Sequence, residues 1–164
     1  MVFSATAALW FLPFVTPLCL YVALTDLRAM RIANGTVIAL ATVFVVFGPL
    51  FLPFETYLWQ LSHLPVMLIA GIALNAAGVM GAGDAKFVAA AAPYVALGDA
   101  KLLLALYAAV LLAAFSAHRI AKNTGLRDMA PQWQSWDQGR KFPMGLALGP
   151  TLIAYLILAV MYGS

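Results

Sequence analysis

Residues 79–99 read "VMGAGDAKFVAAAAPYVALGD", and this stretch decides how many times the chain crosses a membrane. Between Lys86 and Asp99 lie twelve uncharged residues. A regular helix of that length is about 18 Å long, well short of a hydrocarbon core of roughly 30 Å. It reaches about 27 Å only if it starts near Gly81, which puts Asp84 at or inside the membrane boundary. The same arithmetic allows Gly81–Ala85 to be a broken or re-entrant segment, a backbone tolerated only against protein or a water-filled cavity.

The arithmetic applies because the composition is that of an integral membrane protein. Of 164 residues, 65% are hydrophobic and 9% charged, whereas about a quarter of the residues in soluble domains are charged. The length suits a single membrane-embedded domain, 1–164. The formal net charge of +3, from nine basic and six acidic residues, is accounted for by juxtamembrane loops without nucleic-acid binding. The one cysteine, Cys19, builds neither a disulfide nor a cysteine-rich metal site within the chain, and reads as a small packing residue. The first 25 residues lack Lys and Arg, so a cleaved signal peptide is not expected.

Gaps between charges give the remaining spans. Residues 1–25, 32–54, about 62–80, 102–118 and 142–164 are each long enough to cross, and with the fourth segment they predict an all-α, polytopic protein of six transmembrane helices. The three loops on one side, 26–34, 80–86 and 119–141, then hold Arg28, Arg31, Lys86, Arg119, Lys122, Arg127, Arg140 and Lys141, leaving only Lys101 opposite. The positive-inside rule places those loops in the cytoplasm and both termini outside, in the cytoplasmic (inner) membrane. Five spans would move the basic 119–141 loop outside, so six fits better. Trp133 and Trp136 suggest that this loop lies at the membrane interface. Ala105, Ala109, Ala113 and Ala117 form a stripe of small residues, either a close-packing face of the fifth helix or simply an Ala-rich helix.

No zincin helix, nucleophile elbow or Walker loop is present. His63 and His118 fall on opposite faces, so they are not expected to share a metal, and no metal or cofactor is called for. Two acids stand out. Asp26 follows the first span and Asp84 opens the fourth; acids at such positions are costly and mark candidate functional sites. The alternative is a pair of juxtamembrane salt bridges, Asp26 with Arg28 or Arg31 and Asp84 with Lys86. Asp99, Asp128, Asp137 and Glu55 sit in plain loops and read as solvated.

Two carboxylates brought close together titrate as a unit, one keeping its proton. The ionised member can then take a proton from a water attacking a carbonyl, while the protonated member donates to the developing oxyanion or the leaving amine. Gly81 and Gly83 lack Cβ atoms, and would let the chain leave helical geometry and hold an extended peptide beside the acid. They could equally be small residues at a helix start. Asn34 suits an N-cap for the second helix. Lys86 could tune a neighbouring acid, meet a substrate carboxylate or anchor to lipid phosphates.

"GAGDAK" at 81–86, and Asp26 with Ile32-Ala33-Asn34 starting six positions later, resemble the prepilin peptidases, membrane aspartyl proteases with a Gly-x-Gly-Asp motif. The short class associated with Tad-type (Flp) pili is the most similar. The family's second residue in the Ile-Pro-Asn motif is replaced here by Ala33, and "KFPMGLALG" at 141–149 loosely resembles its last segment. The resemblance implies that Asp26 and Asp84 are the catalytic pair, with Gly81, Gly83, Lys86 and Asn34 in motif or substrate-positioning roles. It implies cleavage of a basic leader from prepilins or pseudopilins at the cytoplasmic face, within pilus-assembly or secretion machinery. The Cys-rich domain of the bifunctional members is missing, so N-methylation is not expected. A small proton-coupled transporter or channel, with the two acids as a relay, is the alternative from another class. A non-catalytic assembly subunit is a third.

Overall fold

The computed structural model describes residues 1–139 and 141–164, with the side chain of Leu126 left undescribed; Arg140, one of the basic loop residues named above, lies outside the described residues. The described residues form helices and turns without strands: α1 Ala5–Ala29, α2 Asn34–Phe51, α3 Phe54–Ala76, α4 Ala82–Ala91, α5 Ala100–Lys122 and α6 Gly145–Tyr162. Five helical stretches are long and apolar enough to cross a membrane, all except α4. Many large apolar side chains remain exposed on the outside, as expected where the surrounding solvent is lipid.

α1 is the central element. Its buried residues Phe11, Val15, Cys19, Val22 and Asp26 recur every three or four positions, one face of a helix. That face packs against α6. Gly145 and Gly149 make the close approach possible: a Cβ on Gly149 would lie 2.5 Å from the Cys19 carbonyl oxygen, and one on Gly145 would lie 3.0 Å from Asp26. Gly-x-x-x-Gly is the small-residue spacing that lets membrane helices meet at backbone distance. The alanine stripe of α5 behaves differently. Ala105, Ala109, Ala113 and Ala117 are all exposed, and α5 buries no residue fully. The small-residue interface therefore belongs to α6, and the close-packing reading of α5 is overturned.

The fourth segment is broken, and not where the sequence suggested. α4 does begin at the Gly81 boundary but stops after ten residues, about 15 Å of helix. Pro93 has no N–H to continue the ladder. The chain goes on through two short 3₁₀ turns, Ala92–Tyr94 and Leu97–Asp99. The Tyr94 ring fills the core between α1 and α2, making edge contacts with Phe11 at 5.0 Å and Phe44 at 5.1 Å. Its hydroxyl donates to the Leu40 carbonyl at 2.7 Å. The stretch of 3₁₀ and extended backbone compensates for length: these residues rise about 2–3.3 Å each against 1.5 Å in an α-helix, so 82–99 reaches up to about 34 Å.

This segment joins the two ends of α1. At its start, Gly83 packs on Ile32, just beyond α1. At its finish, Asp99 accepts hydrogen bonds from the amides of Val2 (2.9 Å) and Phe3 (3.1 Å), just before α1. Asp99 is therefore no solvated loop acid: it is 6% exposed and also receives the Tyr155 hydroxyl at 2.9 Å. Trp136 likewise turns inward, donating to the Ala130 carbonyl and stacking on His118.

Candidate active site

Asp26 continues the buried face of α1 into the helix's last turn. The helix ends at Met30, whose amide returns to the Asp26 carbonyl at 2.8 Å and whose φ of 50° is left-handed. A left-handed conformation is uncommon away from glycine, and it makes the tight turn here without the proline that the motif usually carries. The turn brings Ile32 beside α4. The Asp26 carboxylate is 5% exposed and accepts one hydrogen bond, from the Gly145 amide at 2.7 Å. That amide is the first of α6, one of the four N–H groups that a helix start leaves without an internal partner.

Asp84 stands in the first turn of α4, three residues past Gly81. Its carboxylate folds back toward Gly81, and an acid in the first turn suits the positive end of a helix. The two glycines acquire separate, concrete roles. A Cβ on Gly81 would lie 2.6 Å from the Asp84 Oδ2, so only glycine leaves room for the carboxylate to fold back. A Cβ on Gly83 would lie 3.3 Å from that of Ile32, so this glycine brings α4 close to the end of α1. Gly71 does the same on the other side, where a Cβ would lie 2.9 Å from that of Ala85.

The helix break assigned to Gly81–Ala85 lies earlier. α3 ends at a left-handed Gly78, φ 73°, with the Val79 amide bonded to the Leu74 carbonyl and the Gly78 amide to the Asn75 carbonyl. This is the Schellman pattern of a glycine-terminated helix. The Asn75 side chain completes it, donating to the Met80 carbonyl at 2.8 Å. Gly81 itself has an ordinary φ of −65°.

The fold thus places Asp26 and Asp84 at the same end of the bundle, Asp26 against Gly145 in the last turn of α1 and Asp84 in the first turn of α4, which packs on Ile32 just beyond α1. Among the described residues, neither carboxylate has a salt-bridge partner, so the juxtamembrane ion pairs considered above do not form. Lys86 turns away from Asp84 and donates to the Asn34 side chain at 3.1 Å. Asn34 is correspondingly not the N-cap of α2. That position belongs to Ala33, and Asn34 is the first helical residue.

Sequence reasoning missed two neighbours. Gly145 donates to Asp26, and its signal was the Gly-x-x-x-Gly spacing with Gly149. Tyr107 of α5 lies near enough to Asp84 to feel its charge, and its signal was a lone phenol in an apolar run. Tyr107 also lines a groove of about 450 Å³ that runs along α4, with Met80, Phe87, Val95 and Leu104 among its otherwise mostly apolar walls. Grouped metal ligands are absent among the described residues.

Comparison with curated proteins and with solved structures returned no match to either. A family model does match residues 13–118, more than half of the chain and a stretch that contains both aspartates. The chain belongs to the type IV leader peptidase family.

Proposed function

We propose that the protein is an aspartic endopeptidase that removes the basic leader from prepilins or pseudopilins, with Asp26 and Asp84 as its catalytic pair. One observation carries the reading. Two carboxylates from distant parts of the chain, Asp26 buried and Asp84 half-buried, lie at one end of the bundle, and among the described residues neither has a cationic partner. In a structural role, burying carboxylates without neutralising partners is costly. In a catalytic role it leaves their remaining lone pairs for water and substrate.

The chemistry follows from the pair. Of two coupled carboxylates, one is ionised and one holds a proton. The ionised group removes a proton from water as the oxygen attacks the scissile carbonyl carbon. The other donates its proton to the carbonyl oxygen, and the tetrahedral species collapses with cleavage of the C–N bond and proton transfer to the leaving amine. The products are a carboxylic acid and an amine, which exchange a proton to leave as carboxylate and ammonium, and the pair returns to its starting charge. Water is the co-reactant. The apolar groove beside Asp84 suits the hydrophobic helix that follows the leader in such a substrate, since it keeps that helix alongside α4 in the membrane.

The motifs around Asp26 and Asp84 resemble the Tad/Flp class, and methylation of the new N-terminus is not part of the proposal. The orientation is six crossings, with 82–99 as the fourth, both termini outside and the aspartates facing the cytoplasm. Support comes from the course of 82–99 between the two ends of α1 and from the basic loops gathered at the Asp26 end. The protein reconstituted in liposomes with a prepilin is the direct test. Cleavage at the leader junction, seen as the mass of the mature product, is expected for the parent and absent for Asp26→Asn and Asp84→Asn. Normal maturation by either variant would refute the mechanism.

A further inference from the structure

A second cavity, of about 470 Å³, lies where the last turn of α5 meets the loop that leads into α6, and neither aspartate lines it. Its polar wall is cationic, formed by Arg119, Lys122 and Lys141. Among the described residues none of the three has a carboxylate partner. The one ion pair there, Arg127 with Asp137 at 2.8 Å, uses residues outside the cavity wall.

Two further groups in the wall are unusual. The His118 Nε2 and the Ser135 Oγ are buried polar atoms without a hydrogen-bond partner, and Ser135 as a whole is 1% exposed. Such atoms are rare in folded proteins, and each calls for a missing partner. The imidazole is well fixed: it stacks on Trp136 at 4.9 Å and meets the edge of Phe142 at 5.8 Å. The apolar part of the wall is Phe115 and Phe142, in ring contact at 5.7 Å. The cavity wall therefore combines three cations without a carboxylate partner among the described residues, two unsatisfied polar atoms and two phenylalanine rings. It lies where the apolar length of α5 gives way to its basic last turn.

We propose that this cavity binds the phosphate of an anionic phospholipid. Arg119, Lys122 and Lys141 neutralise the charge, His118 and Ser135 hydrogen-bond to the headgroup, and the two phenylalanines pack against its glycerol and first methylenes. Basic pockets at the ends of membrane helices are suited to such headgroups. A basic peptide leader would be repelled here, and a free phosphate would leave the aromatic wall unused.

The test uses purified protein stripped of lipid in an uncharged detergent. It is titrated in parallel with phosphatidylglycerol and phosphatidylcholine, and bound lipid is counted by native mass spectrometry. One phosphatidylglycerol is expected to bind in preference to phosphatidylcholine. The triple variant R119Q/K122Q/K141Q should weaken it about 100-fold, roughly fivefold for each charge. Ser135→Ala removes only a hydroxyl that has no internal partner, so it keeps the fold, and it should weaken binding about fivefold. Should the triple variant fail to fold, Ser135→Ala decides alone. Unchanged phosphatidylglycerol affinity in the variants, or equal binding of both lipids, overturns the site. Stoichiometric displacement of the lipid by excess inorganic phosphate would overturn the lipid assignment in favour of a free phosphate.

Discussion

The two ends of α1 both carry buried carboxylate chemistry, and they solve it in opposite ways. Before its N-terminus, Asp99 is saturated. The Val2 amide, the Phe3 amide and the Tyr155 hydroxyl all donate to it, and Tyr155 in turn accepts from the Ala96 amide at 3.2 Å. In its last turn, Asp26 has one donor among the described residues, the Gly145 amide, and no cationic partner; the other acid at that end is Asp84. Low exposure is common to Asp99 and Asp26, so burial alone does not separate a structural acid from a working one. The count of satisfied lone pairs does. Asp99 has spent its capacity tying the start of the chain to the α4–α5 connection, whereas the Asp26–Asp84 pair has capacity left for a water and a substrate.

The sharpest way to break this contrast is to make the same substitution at both ends. Asp26→Asn and Asp84→Asn should each lower kcat/KM for prepilin cleavage by about 10³-fold or more, since general acid–base groups typically contribute 10²–10⁴. Their thermal unfolding should shift little. Asp99→Asn should do the reverse. A neutral amide in place of the carboxylate weakens three charge-assisted bonds, and a loss of about 2 kcal/mol or more of stability is expected, with catalysis retained at temperatures where the variant is folded. Thermal unfolding in detergent beside the cleavage assay reads both quantities. A folded Asp99→Asn protein without activity would erase the distinction.

Gly145 tests whether the single donor at the working end matters. In Gly145→Ala the new methyl would start 3.0 Å from the Asp26 Cβ and Oδ2 and 3.1 Å from Val22, so carboxylate and α6 must separate. A displacement of about 1 Å at a catalytic group costs on the order of 100-fold. The expected outcome is a kcat lower by about that factor; KM should change less, because most of the groove is lined by α3, α4 and α5 and only Leu148, Thr151 and Leu152 come from α6. Gly139→Ala is a useful contrast. That glycine is left-handed, φ 60°, but open around its Cβ position, and its strain falls in a loop rather than on the pair. An unchanged kcat for Gly145→Ala would mean that Asp26 is positioned by α1 alone.

These residues also mark what could be read from the chain itself. Charge-free gaps located four of the long helices to within about four residues, while the third, expected at about 62–80, runs Phe54–Ala76; the charge pattern put Asp26 and Asp84 at one end, because the cost of charge in hydrocarbon is a local property of sequence. Hydrophobic pattern failed for the inside of the bundle. In lipid the outer face is as apolar as the inner one, so a stripe of alanines on α5 looks like an interface although it faces outward, and Gly145-x-x-x-Gly149 looks unremarkable although it sets the tightest crossing. Asp99 was misread for a different reason. Its fate depends on backbone amides 96 and 97 positions away, and no local pattern announces them. The early stop of α4 was legible in Pro93, but the anchoring of Tyr94 between Phe11 and Phe44 was not.

Lys86 supplies the smallest expected effect and the finest test of the contrast. It sits two residues past Asp84, so a direct electrostatic role for its ammonium would be natural. Instead its side chain is exposed and donates to the Asn34 side-chain Oδ1, linking α4 to the start of α2. An exposed hydrogen bond of this kind contributes little net free energy, because water replaces either partner at small cost. Lys86→Met and Asn34→Ala should therefore each change kcat/KM by about threefold or less, and the double variant should match the larger single effect, since both remove the same bond. A Lys86→Met loss approaching that of Asp84→Asn, with Asn34→Ala silent, would assign the ammonium to the chemistry. The working end would then consist of two acids and a base rather than a bare carboxylate pair.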